Sequence, residues 1–144
     1  MKSCKPSIRH TAVLFSILLV CMCFLSPDNA HAISIKEEKE LAGKYMRMIR
    51  KNQTIIKDPI ICHLVESVGK EIMAHVPPSP FSFSFYAVDN DSFNAFAAPG
   101  ANIFLNRELI ASLDTVDELA GIIGHEIAHA SLRHISQLID KSKI

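Results

Sequence analysis

Ile60, Ile61, Leu64, Val65, Val68, Ile72 and Met73 recur three and four residues apart, the spacing that gathers side chains on one helix face. Asp58 precedes them as an N-cap and Pro59 takes the first helical position, so the pattern predicts a helix from Pro59 to about His75. Upstream, Ser34 and Glu37 form a capping-box pair that opens another helix running to about Asn52. Its charges (Glu37, Glu38, Lys39, Glu40, Lys44, Arg47, Arg50, Lys51) predict a solvated face. Val76-Pro77-Pro78-Ser79-Pro80 forbids regular structure. Beyond it the period drops to two. Phe81, Phe83 and Phe85 alternate with Ser82 and Ser84, as in a half-buried strand.

Asp89-Asn90-Asp91 turns the chain into two short strands, 93–97 and 102–105, around Ala98-Pro99-Gly100-Ala101. A brief helix follows from Asn106 to Leu113. Thr115 and Glu118 repeat the capping box, and the last helix should run to about Asp140. Leu119, Ile122, Ile123, Ile127, Ala130 and Leu138 line it, and few charges precede Arg133, so its first half is expected in the interior. Helices before and after a small sheet predict an α+β domain.

The amino terminus changes this picture. Lys2, Lys5 and Arg9 precede an apolar run from Thr11 to Leu25, and Ala30-His31-Ala32 has the small-x-small form that signal peptidases cleave. Residues 1–32 therefore read as a secretory signal peptide. The run is short for a spanning helix, although an uncleaved anchor through residues 11–25 is the alternative. Removing the segment leaves 112 residues, enough for one small domain. It also removes three of the 15 basic and one of the 15 acidic side chains, so the remainder is slightly acidic. No basic block survives, which excludes nucleic acid as an expected partner. Three of the four cysteines leave as well, and Cys62 remains in an apolar helical context as a small hydrophobe. An exported domain without an internal disulfide fits a bacterial periplasm.

The candidate chemistry lies in Gly124-His125-Glu126-Ile127-Ala128-His129. His125 and His129, four apart, project from one helix face and can hold one Zn²⁺. Glu126 adjoins the first ligand and can act as general base on a zinc-activated water. His63 and His75 have no partner at ligand spacing and read as ordinary surface or helix-end residues. His134 is five residues beyond His129, about 140° round a continuous helix, which puts it behind the ligands or on the surface. Asp140 regains the ligand face, but about 16 Å up the axis. No glutamate follows Glu126, so the chain contains no third ligand of a two-histidine-plus-glutamate site.

Asn94-Ala95-Phe96-Ala97-Ala98-Pro99-Gly100-Ala101, then Asp117-Glu118-Leu119-Ala120, then His125-Glu126-Ile127-Ala128-His129, resemble the zinc metallopeptidases related to HtpX, Oma-type proteases and CAAX prenyl proteases, and in particular their exported BepA-like branch. The resemblance covers about 33–139 and implies a zincin-like domain, a protein or peptide substrate, and one zinc held by His125 and His129 with Glu126 as base. It also implies that Asn94, Ala95, Phe96 and Ala97 form an edge strand where a substrate peptide pairs. Ala101 stands where that family usually has a second glycine. Residues 33–144 are then the amino-terminal part of a metalloendopeptidase domain acting on envelope proteins, with room for peripheral membrane association. The alternative is a catalytically inactive fragment or a chaperone-like binding domain.

Overall fold

In the computed structural model, the described residues are 33–134 and Gln137. The expected signal peptide and Asp140 lie outside them. Helix α1 (Ile35–Asn52) begins at the predicted capping box: the Ser34 hydroxyl accepts from the Glu37 N–H, and the Glu37 carboxylate accepts from the Ser34 N–H. Helix α2 (Pro59–Met73) is capped by Asp58, whose carboxylate accepts from the N–H groups of Ile60 and Ile61. Three strands follow: β1 (Ser84–Val88), β2 (Ala95–Ala98) and β3 (Asn102–Asn106). Helix α3 (Arg107–Ser112) leads to α4 (Val116–Ser131), which opens on the second predicted capping box, Thr115 with Glu118. Among the described residues no helix is long and apolar enough to cross a membrane.

The sheet order is β1-β3-β2, with β1 parallel and β2 antiparallel to β3. The first strand starts later than the phenylalanine alternation predicts, because its pairing begins where Ser84 meets Asn102. Phe81 is nevertheless buried.

The central strand alternates between two apolar layers. Ile103 and Leu105 face α2 and α4, packing with Val65, Val68, Leu119, Ile123 and Ile127. Phe104 points the other way, towards Ile49 and Tyr45 of α1. Its ring stacks between Tyr86 at 5.1 Å and Phe96 at 5.0 Å, its cross-strand neighbours. The sheet is thus covered on both faces, giving the expected α+β class with helices α2 and α4 sharing one side.

Close approach of α2 to the sheet depends on Gly69, where a Cβ would lie 2.5 Å from the Phe85 ring. The β2–β3 turn depends on two left-handed residues, Gly100 (φ 77°) and Ala101 (φ 59°). Ala101 accordingly sits where glycine suits the backbone better.

Two expectations fail. Glu38 is not on the solvated face: it is 3% exposed and paired with Arg133. Helix α4 is not continuous through Arg133: it stops at Ser131, and Arg133 takes a left-handed conformation (φ 53°).

Candidate active site

Helix α4 is anchored by one stripe, Leu119, Ile123 and Ile127, spaced four apart and buried against the sheet and α2. The opposite face is open: a Cβ on Gly121 or Gly124 would meet nothing within 4 Å, and Ala128 is exposed. The apolar first half therefore combines one buried stripe with small residues on an open face, and the helix is not buried all round. His125 is exposed, while Glu126 and His129 are half-buried. Burial cost does not compel a partner for these groups; their geometry is what suits a metal.

That geometry is specific. The Nε2 atoms of His125 and His129 face each other at 3.0 Å, with the rings edge-on. Two imidazole nitrogens bound to one tetrahedral ion at about 2.0–2.1 Å sit about 3.3 Å apart, so the pair fits a shared metal with little adjustment. His125 and Glu126 also line a cleft of about 340 Å³. Its far wall is Phe93, Asn94 and Ala95, with Leu109 of α3 beneath. Asn94 is held by its carbonyl, which accepts from the Asn106 N–H at 3.0 Å. The Asn106 side-chain amide donates to the Ser92 carbonyl and hydroxyl, and Arg107 binds Asp89 and Asp91, so the loop before β2 is tied at several points.

The four expected edge-strand residues divide. Asn94 and Ala95 border the cleft. The Phe96 ring is committed to the stack on Phe104, and Ala97 is buried, leaving their backbone as the part a peptide could meet. β2 does lie at the sheet's edge.

His134 lies behind His129, as expected, but much closer to its ring than a continuous helix would bring it. Its Nδ1 lies 2.7 Å from Nδ1 of His129, on the side of that ring away from His125. Among the described residues no group of three or more His, Cys, Asp or Glu side chains could hold a metal, so His125 and His129 stand as a pair. His63 and His75 are exposed, as expected, and Cys62 is half-buried with its thiol donating to the Ile56 carbonyl. Sequence reasoning missed Glu38 and Arg133, which clamp the end of this helix.

A helix carrying paired histidines and a glutamate beside an edge strand is the layout of an HExxH metallopeptidase core. The chain belongs to peptidase family M48, whose pattern matches residues 60–142. It is 32% identical over 111 residues to the beta-barrel assembly-enhancing protease of Yersinia pestis, covering 77% of this chain and 23% of that protein. It is 31% identical over 108 residues to the protein of that name from Escherichia coli (strain K12), covering 75% and 22%. The human mitochondrial metalloendopeptidase OMA1 is 31% identical over 78 residues, 54% of this chain and 14% of OMA1. The chain thus spans less than a quarter of the length of these curated relatives.

Proposed function

We propose that this chain carries the metal-binding helix and substrate edge of a zinc-dependent metalloendopeptidase. The observation that supports it best is the convergence of the His125 and His129 Nε2 atoms beside Glu126, in a cleft walled by the start of β2. His125 and His129 would hold the ion through Nε2. When bound, zinc supplies Lewis acidity, polarising the scissile carbonyl and bringing the pKa of its water towards about 7.

The rest is work for the chain's own groups. Glu126 accepts a proton from the attacking water and returns it to the leaving amine. The backbone of residues 94–97 offers an extended peptide the free edge of β2, which holds it alongside α4. Phe93, 68% exposed at the rim, gives a substrate side chain an apolar surface. The substrates would be envelope proteins, reached after export through residues 1–32, by analogy with relatives named for β-barrel assembly.

The lack, among the described residues, of a third His, Cys, Asp or Glu ligand grouped with His125 and His129 favours a second reading, a binding domain that uses the cleft without hydrolysis. Casein cleavage and bound zinc in the purified protein, compared with Glu126→Gln, separate the two. Loss of cleavage with zinc retained supports the enzyme. Cleavage unaffected by Glu126→Gln refutes Glu126 as the base. Zinc bound without cleavage by the wild type favours the binding domain.

A further inference from the structure

Resting on the zinc reading above, we infer that His134 is a positioning residue for His129, held in place by a clamp between Arg133 and Glu38. The starting observation is the break in α4. Its last turn closes with the Leu132 N–H donating to the Ala128 carbonyl and the Arg133 N–H to the Ala130 carbonyl. Arg133 then reverses the path at φ 53°, a conformation that a non-glycine residue adopts at a cost. The reversal carries His134 back over His129, where a continuous helix would have carried it about 140° away.

Something must hold that reversal, and the Arg133 side chain does so. Its Nε and Nη2 donate to Glu38 Oε2 at 2.8 and 2.6 Å, and Nη2 donates to the Ile33 carbonyl at 2.5 Å. The guanidinium also lies over the Phe81 ring. Glu38 is itself fixed, its other oxygen accepting from the Gly100 N–H at 3.3 Å. A carboxylate this buried with three donors is a rigid anchor. It ties the start of α1, the β2–β3 turn and the end of the histidine helix to one another.

The consequence falls on His129. Only one of the two facing Nδ1 atoms can carry the proton between them. A metal on His129 Nε2 assigns that proton to His129 Nδ1, which donates to His134 Nδ1, and His134 is then protonated at Nε2. His134 thereby fixes the ring plane and tautomer that present Nε2 towards His125.

The test is zinc affinity of the whole chain, measured with zinc alone by competition against a chromophoric chelator. His134→Phe keeps a ring but removes the acceptor, and should weaken zinc binding about 10–100-fold. His134→Gln, whose amide oxygen can accept from Nδ1–H, should recover most of that loss. Glu38→Gln should weaken zinc binding by less than His134→Phe, by loosening the clamp. Nitrogen-15 NMR of the zinc-loaded protein should show His129 protonated at Nδ1, with a resonance that shifts in His134→Phe. Equal affinity and an unchanged His129 signal in His134→Phe overturn the inference while leaving the zinc site intact. A wild type that takes up no zinc, or takes it up regardless of His129→Ala, overturns the zinc reading and this inference with it. Should Glu38→Gln fail to fold, the two His134 variants still decide.

Discussion

Gly100→Ala tests the turn that joins the cleft's edge strand to the rest of the site. Gly100 has φ 77°, and a Cβ there would lie 2.6 Å from the Ala42 methyl of α1. A side chain in that conformation costs about 1–2 kcal/mol. The contact adds overpacking of about 1–3 kcal/mol, since both atoms sit directly on backbone and cannot swing aside. Alanine restricts the unfolded chain and returns about 0.4–1 kcal/mol. The net expectation is a loss of about 1–4 kcal/mol, read as a lower urea midpoint at constant slope. Ala42→Gly should cost about 0.5–1 kcal/mol alone, as glycine does in a helix. Combined with Gly100→Ala it should recover the overpacking part, leaving the backbone part in place. Stability equal to or above the wild type in Gly100→Ala would refute the reasoning, and strict additivity in the double variant would remove the contact.

Phe104 is fully buried between two rings, so Phe104→Ala should cost about 3–5 kcal/mol in urea or thermal unfolding. Thr115→Ala removes the side-chain cap of α4 and should destabilise the protein by about 1 kcal/mol, measured the same way. Burial raises the Tyr45 phenol above its ordinary value of 10.0. Its contribution is therefore complete below pH 10 and is lost as pH climbs through the raised pKa, so Tyr45→Phe should flatten the alkaline limb of a stability–pH curve.

Local chemistry was legible in the sequence. Both capping boxes and the Asp58-Pro59 helix start appear where their residues fall, because each is decided within four positions. The HExxH pair converges as its spacing requires. Long-range features were not legible. Glu38 sits in a charged helix like any solvated residue, and its burial depends on Arg133, 95 positions away. The reversal at Arg133 carries no glycine to announce it, so periodicity continued α4 and turned His134 away from His129. Apolar and small residues around the histidines suggested an interior helix. Gly121 and Gly124 lie on an open face instead, a distinction that composition does not carry.

The most direct test of the central claim is X-ray absorption at the zinc edge on the zinc-loaded protein, compared with His125→Ala and His129→Ala. One zinc per chain with two imidazole ligands is expected in the wild type, with loss of an imidazole together with weaker binding in each variant. Zinc bound without imidazole scattering, or bound equally well after either substitution, would contradict it.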